Sequence, residues 1–166
     1  MLPSGTRVTM LAEWCGDTLS DFLSALRVQR TYWGRIELRA PAGVRFSAIP
    51  SVRCHLVVKG EAFLNVADAT RPIFLKRGDF VMLPRGSGFT LQDAPDSPIC
   101  LADPVRDIAI RLGRIPLIEC GEERGGDGER AVLMVGRFEL DAIAANFLQT
   151  LPDVIHIPAE AGALPA

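Results

Sequence analysis

Arg53 and His55 are the two residues in this chain whose types and spacing best fit the binding of a small molecule. They stand two positions apart in RCHLVVKGEAFL (53–64), which reads as a β-strand and a turn. Because side chains alternate along a strand, both project to one face together with Val57. A guanidinium and an imidazole on an apolar face suit an organic ligand with an acidic or hydroxyl group. Two alternatives stay open: a satisfied core histidine, and an arginine ion pair at the mouth of a barrel.

Other patterns that could support catalysis are weak. The second histidine, His156, lies in a short C-terminal strand, and no GxSxG, Walker A or HExxH motif occurs. The glycine-rich run 125–128 precedes a strand, so it lacks the helix N-terminus that a phosphate site uses. We therefore predict no catalytic residue and no cofactor, and we interpret 121–130 as a charged hairpin loop.

The four cysteines are Cys15, Cys54, Cys100 and Cys120. No two of them are separated by two residues, so neither a zinc nor a redox CxxC pattern exists. Their number is low for the disulfide framework of a small secreted domain. We expect free thiols in a reducing cytosol. A mixed zinc site that uses Cys54, Cys120 or His55 stays open as an alternative.

Short strands must position these residues, because turn-forming Gly, Pro and Asp recur at about 8–12-residue intervals. The pattern predicts strands at 32–38, 44–49, 53–58, 62–66, 73–75, 80–83, from 89, and at 115–120, 131–140 and 153–157. Residues 92–102 are predicted to form a loop. This order indicates an all-β sandwich or barrel and argues against a doubly wound nucleotide-binding fold.

Three helices are predicted beside the strands. Residues 18–28 carry one apolar stripe, and residues 103–113 begin with Asp103 as the N-cap and end at Gly113. The third helix, 141–150, is expected to bury three side chains, namely Ile143, Phe147 and Leu148.

Composition narrows the function classes. The 166 residues are 48% hydrophobic and 23% charged, with a net charge of −2, which fits one globular domain and excludes a disordered chain. The pI of about 5.7 and the lack of a basic stripe argue against direct nucleic-acid binding. Mean hydropathy is +0.20, but no charge-free apolar window of about 18 residues exists. We predict a cytoplasmic protein without a membrane segment.

The stretch GDFVMLPRGSGF (78–89) resembles the second motif of the cupin superfamily, whose members are small jelly-roll barrels. Metal-dependent cupins hold a divalent metal with three histidines and a glutamate. The corresponding positions here are Ser47, Ile49, Arg53 and Phe89, none of which suits that role. The resemblance thus implies a mainly β, cupin or jelly-roll-like barrel, with two or three flanking helices and without the usual metal. We predict six ligand-binding residues: Trp33, Ser47, Arg53, His55, Val57 and Phe89. Core packing is the alternative role for Trp33.

Five segments in order strengthen a narrower resemblance: TLSDFLSALR (18–27), RCHLVVKGEAFL (53–64), LKRGDFVMLPRG (75–86), GGDGERAVLMVGRFELD (125–141) and LPDVIHI (151–157). Together they resemble the N-terminal cupin-like domain of AraC-type bacterial transcription regulators. That resemblance implies an N-terminal arm at 1–16 and a sensor domain at 17–157. Residues 158–166 would be a linker towards a helix-turn-helix domain that is missing here.

The family likeness implies a ligand-sensing and dimerisation domain that binds a small organic effector, with DNA bound through the absent C-terminal domain. The helix 141–150 is the candidate homodimer face. Two alternatives belong to other classes: a stand-alone cupin enzyme, such as an isomerase or lyase, and a structural dimer module with a filled barrel. Tightly bound metal would favour the enzyme, and the absence of an internal cavity would favour the module.

Overall fold

Residues 28–121 and 130–162 are described by the computed structural model. The predicted arm 1–16, most of the predicted helix 18–28 and most of the predicted loop 121–130 lie outside these residues. Val28, the last residue of that predicted helix, is instead the first residue of a strand.

Eleven strands form two sheets within the described residues. They are β1 (Val28–Arg39), β2 (Gly43–Phe46), β3 (Val52–Lys59), β4 (Glu61–Val66), β5 (Ile73–Lys76), β6 (Phe80–Leu83), β7 (Phe89–Gln92), β8 (Ile99–Leu101), β9 (Leu117–Cys120), β10 (Arg130–Leu140) and β11 (Ile155–Ile157). The six-stranded sheet has the order β11-β6-β3-β10-β1-β9, and the five-stranded sheet has the order β5-β4-β7-β2-β8. Two α-helices, α1 (Asp103–Arg111) and α2 (Ala142–Leu148), and a short 3-10 helix (Ala159–Gly162) flank them. The predicted mainly β, jelly-roll-like architecture is confirmed.

The core lies between the two sheets, where alternate side chains of each strand point inward. Its fully buried members include Ile36, Leu38, Val44, Leu64, Leu75, Val81, Leu83, Leu91 and Leu133. Each such side chain contributes about 1.5–3 kcal/mol by leaving water. A second cluster beneath α2 contains Val52, Met82, Phe138 and Leu148.

The predicted turn, strand and turn at 78–86 form as expected. Asp79 accepts a hydrogen bond from the backbone N–H of Lys76 at 3.1 Å, and β6 follows at once. Gly86 has φ +65°, and a Cβ there would overlap the carbonyl oxygens of Ile49 and Ser51. Glycine is therefore required at this turn.

Several predicted boundaries are wrong. Residues 99–101 are not loop but β8, whose three exposed side chains show no alternation that could reveal a strand. The strand predicted at 44–49 ends at Phe46. The N-cap of α1 is Ala102 rather than Asp103, because the Asp103 carboxylate is hydrogen-bonded to Ser47 instead.

The predicted buried face of the helix at 141–150 is also wrong in two of its three residues. Asp141 is the N-cap, accepting a hydrogen bond from the N–H of Ala144 at 2.8 Å. Leu148 packs into the second cluster, but Ile143 and Phe147 are 72% and 60% exposed. Leu148 is the only buried residue of this short helix, so its other large apolar side chains are exposed to solvent.

Candidate functional site

A cleft lies between the inner face of β1, β3 and β10 and the ends of β2 and β7, with α1 as its outer wall. It contains about 510 Å³ of space free of protein atoms, counted out to its open mouth. The lining is largely apolar and includes Trp33, Ile36, Phe46, Ile49, Phe89, Ile110, Pro116, Ile118 and Val135. Four arginines and one histidine supply most of its polar groups: Arg35, Arg53, Arg106, Arg137 and His55.

Arg53 lies on β3 and is only 5% exposed. Its Nη1 and Nη2 donate to the carbonyl oxygens of Ser87 at 3.1 Å and Ser47 at 2.6 Å. Among the described residues, no carboxylate lies within 4.0 Å of this guanidinium. Burial, assisted by the charge of Arg106, lowers the pKa of Arg53 to about 10. The group is thus still protonated at pH 7, as a buried cation without a carboxylate in contact.

Two stacked aromatic rings form the surface beneath this cation. Phe46 on β2 and Phe89 on β7 occupy paired register positions, and their ring centroids are 4.8 Å apart at an interplanar angle of 17°. The Arg53 guanidinium lies 5.1 Å from the centroid of Phe89, within the range of cation–π attraction. The contact orients the guanidinium without neutralising its charge.

His55 is next to Arg53 on the same face of β3 and is 2% exposed. Its ring meets Phe89 edge-on, with centroids 4.5 Å apart. Burial, with a smaller contribution from the charge of Arg53, lowers the pKa of His55 to about 3, so the imidazole is neutral at pH 7. Its Nδ1 has no hydrogen-bond partner in the part of the chain that the structure describes. A buried polar atom without a partner is unfavourable, and a bound molecule could relieve that cost.

The other arginines of the cleft are paired, unlike Arg53. Arg35 contacts the buried carboxylate of Glu37 at 2.6 Å. Arg106 contacts Asp103 at 2.9 Å, and Arg137 contacts Glu139 at 3.0 Å. The free positive charge of the cleft is therefore concentrated on Arg53.

Sequence reasoning missed Arg106 and Arg137 as cleft residues. Arg137 belongs to the GRF segment (136–138), which resembles a family motif without indicating a cleft, and its guanidinium carbon lies 4.3 Å from the centroid of the Tyr32 ring. Arg106 comes from α1, whose place over the cleft depends on tertiary packing that the sequence pattern does not reveal. The alternation of β10 was the available signal for Arg137.

Trp33 borders the cleft, but its ring packs on the other face of β1, towards the second cluster. It pairs with Gly136 in the β1–β10 register, and a Cβ at Gly136 would lie 3.1 Å from Trp33 Cζ3. The indole also meets Phe138 edge-on at 5.6 Å. Gly136 therefore provides the space in which the Trp33 ring lies.

The structure brings together four of the six predicted ligand-binding residues: Trp33, Arg53, His55 and Phe89 all line the cleft. Ser47 does not, because it is exposed and its side chain points to Asp103. Only the Ser47 carbonyl oxygen faces the site, as an acceptor for Arg53. Val57 is in the main core, away from the cleft lining.

The residues at the cupin metal positions do not fit a metal. Arg53 and Phe89 offer no donor electron pair, and the Arg53 charge would repel a divalent cation. Ile49 is apolar, and Ser47 lies outside the lining. No group of three or more His, Cys, Asp or Glu side chains suited to a metal occurs among the described residues.

The expectation of free thiols is wrong for two cysteines. Cys100 and Cys120 form a disulfide, with Cα atoms 7.0 Å apart, because β8 and β9 end beside one another although they belong to different sheets. This bond takes Cys120 out of the zinc site that the sequence left open. Cys54 is a free thiol, and Cys15 lies outside the described residues.

A model of the cupin family matches residues 17–166. This chain therefore belongs to the cupin family.

The chain is also similar to part of two proteins that are named as AraC-like regulators. It is 30% identical over 145 residues to a protein of Streptomyces lividans named as an AraC-like transcription regulator, covering 87% of this chain and 45% of that protein. A similarly named protein of Streptomyces antibioticus is 29% identical, with 86% and 45% covered. The chain thus spans less than half the length of these curated relatives.

Two solved structures are similar at a lower level. One is the unsaturated fatty acid-bound ToxT of Vibrio cholerae, with a TM-score of 0.44, 11% identity, and coverage of 80% of this chain and 42% of that one. The other is named as a mannose-6-phosphate isomerase of Ralstonia eutropha JMP134, with a TM-score of 0.35, 13% identity, and coverage of 67% and 86%. At these scores, neither structure adds to the family assignment.

Neither helix in the described ranges is long and apolar enough to cross a lipid bilayer.

Proposed function

We propose that this chain is the effector-sensing domain of an AraC-type transcription regulator and binds a small organic anion in its metal-free cleft. One observation carries the proposal: Arg53 is a buried cation with no carboxylate of the described residues in contact. An unpaired buried charge is costly, and an acidic ligand would neutralise it. The same guanidinium has a planar donor fork that suits a carboxylate.

The cleft favours an acid with a flat, apolar body. Phe46 and Phe89 offer ring faces or edges, and Ile110 and Ile118 extend the apolar wall. The unpartnered Nδ1 of His55 can accept a hydrogen bond from a hydroxyl group of the ligand when the ring proton is on Nε2. An aromatic or alicyclic carboxylate with one hydroxyl group would use all three features.

The rest of the proposal concerns organisation. We place the sensor at 17–157, an arm at 1–16, and a linker at 158–166 that leads to a helix-turn-helix domain. DNA would be bound by that domain and not by this chain, in the cytoplasm. The likeness to the Streptomyces relatives, of which the chain spans 45%, supports this arrangement.

We also propose a homodimer formed through α2. Ile143 and Phe147 are four residues apart, so they share one side of this helix. Both are largely exposed, and exposed apolar side chains that adjoin one another are typical of interaction sites.

The ligand test uses thermal shift and calorimetry with a panel of aromatic and alicyclic carboxylates, each paired with its neutral amide. We expect binding of acids but not of amides, and at least a tenfold loss in Arg53→Ala. The matched control is Arg71→Ala, which removes an exposed arginine and should bind as the wild type does. Equal binding by Arg53→Ala and the wild type would refute the proposal.

We propose that the chain is not an enzyme, since the donor set does not fit the metal that cupin isomerases and lyases require. Elemental analysis of the purified protein distinguishes the two functions. About one tightly held divalent metal per chain would favour the enzyme.

A further inference from the structure

The Cys100–Cys120 disulfide joins the outer edges of the two sheets. Cys100 is in β8, the last strand of the five-stranded sheet, and Cys120 is in β9, the last strand of the six-stranded sheet. Within the described residues, β8 pairs only with β2, and β9 pairs only with β1. The bond is therefore a covalent tie between two strands that are each held on one side.

The segment between the two cysteines carries one wall of the cleft. It contains α1, with Arg106 and Ile110, then Pro116 just before β9, and Ile118 within β9. No residue of α1 is buried, so packing holds this helix weakly. With few buried contacts and two short edge strands, the segment is of the kind that opens locally at low cost.

The disulfide is accessible from outside through Cys100, whereas Cys120 is buried and only 6% exposed. Cys100 is exposed, and both cysteines line an open groove with Pro41, Gly43 and Gly121. The groove offers about 790 Å³ of space, counted out into solvent, so a small oxidant or a dithiol can approach. Cys54 differs, because burial raises the pKa of its thiol to about 12 and leaves it unreactive.

We propose that Cys100 and Cys120 are a reversible redox pair: their disulfide holds the α1 wall against the cleft, and their dithiol form releases it. The consequence for effector binding rests on the function proposed above. A regulator that meets DNA in the cytoplasm works among reduced thiols, where disulfides are mostly transient or redox-sensing. Oxidising conditions would thus hold the α1 wall against the effector site, and reducing conditions would release it.

The two half-reactions balance with a peroxide as oxidant and a dithiol as reductant. In oxidation, the Cys100 thiolate attacks a peroxide oxygen and breaks the O–O bond, forming a sulfenic acid; the hydroxide or alkoxide that leaves takes up a proton from solvent. The Cys120 thiolate then attacks that sulfur and breaks its S–O bond, and the hydroxide that leaves takes up a proton to become water. In reduction, a thiolate of the dithiol attacks the exposed Cys100 sulfur, and Cys120 leaves as a thiolate and takes up a proton. The second thiol of the reductant resolves the mixed disulfide and releases Cys100.

The first test follows the thiols themselves in the full chain. Protein treated with hydrogen peroxide or dithiothreitol is alkylated and mapped by mass spectrometry. We expect Cys100 and Cys120 to lose reactivity together with peroxide and to regain it together with dithiothreitol. Independent behaviour of the two residues, or pairing with Cys15 or Cys54, would overturn the proposal.

The second test measures the effect on the wall without any ligand. Closing a loop of this length should raise the Tm of the oxidised protein by roughly 5–10 °C over the reduced protein. Hydrogen exchange over 103–118 should be at least tenfold slower in the oxidised form, whereas β3 should not change. Cys100→Ser should abolish both differences, and Cys54→Ser, the matched control, should keep them.

The comparison of oxidised and reduced wild type needs no variant, so a folding defect in Cys100→Ser does not remove the test. Equal Tm and equal exchange in the two wild-type forms would refute the coupling. Because no effector enters these measurements, their failure is distinct from failure of the ligand panel.

Discussion

The carboxylate of Asp103 accepts hydrogen bonds from both the backbone N–H and the Oγ of Ser47, at 3.1 and 2.8 Å from Oδ2. Asp103 is the first residue of α1, and Ser47 follows directly after β2. The carbonyl oxygen of Ser47 in turn accepts from Arg53. One short chain of hydrogen bonds therefore fixes both the outer wall of the cleft and the cation inside it.

Loss of this link should destabilise the protein and loosen Arg53. We expect Asp103→Ala to cost about 1–3 kcal/mol of unfolding free energy in urea, because it removes two hydrogen bonds to a charged acceptor. Asp107→Ala is the control, since Asp107 is exposed on the same helix and pairs only with Arg106 in the described structure. Its cost should stay within about 1 kcal/mol. Equal costs for the two variants would contradict the role of the Ser47 contact.

His55 should make the protein sensitive to acid. Its pKa is about 3 in the folded protein, against an ordinary value of 6.5, so the unfolded chain binds more protons between these two pH values. The contribution of neutral His55 to the free energy of unfolding is therefore fully present above about pH 6.5. It is lost as pH falls towards 3, by at most about 1.4 kcal/mol per pH unit. In His55→Leu that one-proton slope should disappear from denaturation curves between these limits. An unchanged slope in the variant would show that His55 is not buried as a neutral group.

Gly136 should not tolerate a side chain. A Cβ there would lie 3.1 Å from Trp33 Cζ3 and 3.2 Å from Phe138 Cζ, so we expect Gly136→Ala to cost about 1–3 kcal/mol. The Trp33 emission should also shift, measured in a Trp14→Phe background. Met134→Leu, two positions away on the same face of that strand but 38% exposed, should stay within about 0.5 kcal/mol. A shift as large in Met134→Leu would disprove the specific contact with Trp33.

Asp79 should anchor the last strand. Its carboxylate accepts from the N–H of Ala159 at 2.9 Å and contacts His156 Nε2 at 3.1 Å. Burial acts to raise the pKa of Asp79, but the hydrogen bonds from Ala159 and Lys76 outweigh it and keep that pKa below its ordinary value. This stabilisation is present above about pH 3.8 and is lost as pH falls through the folded pKa.

We expect Asp79→Ala to cost on the order of 2–4 kcal/mol, because it leaves two backbone N–H groups unpaired. Hydrogen exchange over 155–159 should rise sharply. His156→Ala removes one of the contacts and should have a clearly smaller effect on both measurements. If His156→Ala is as damaging as Asp79→Ala, the backbone hydrogen bonds are not the main anchor.

The dimer proposal is tested on α2. Ile143→Ser combined with Phe147→Ser should convert a dimer to a monomer in sedimentation velocity. The Tm of the monomer should change little, since both residues are mostly exposed. Phe74→Ser, which alters an exposed residue of β5, should leave the dimer intact. A wild-type protein that sediments as a monomer at high concentration would rule out the proposal.

Most of the barrel could be predicted, because inward alternation and turn glycines mark its strands. The predictions at 80–83 and from 89 match β6 and β7 in their bounds or start. The strand β8 could not be predicted, since all three of its side chains are exposed and its pairing partner is distant in sequence. Hydrophobic alternation within a few residues cannot reveal an edge strand whose side chains are all exposed.

Only part of the candidate site could be predicted from the sequence. Arg53 and His55 followed from alternation on β3, and Phe89 followed from the cupin likeness. The outward direction of Ser47 depends on Asp103, and the disulfide depends on the approach of β8 to β9. Both are contacts between elements far apart in sequence, which periodicity cannot reveal.

The strand order also has a geometric consequence for the only two histidines in the chain. His55 pairs with Val81 across β3 and β6, and Val81 pairs with His156 across β6 and β11. The three residues therefore form one row perpendicular to the strands, and two interstrand steps put the histidine backbones about 10 Å apart. A ligand in the cleft that tilted β3 would therefore also shift β6 and then β11, the edge strand of the six-stranded sheet. The backbone hydrogen bonds between neighbouring strands would carry that shift.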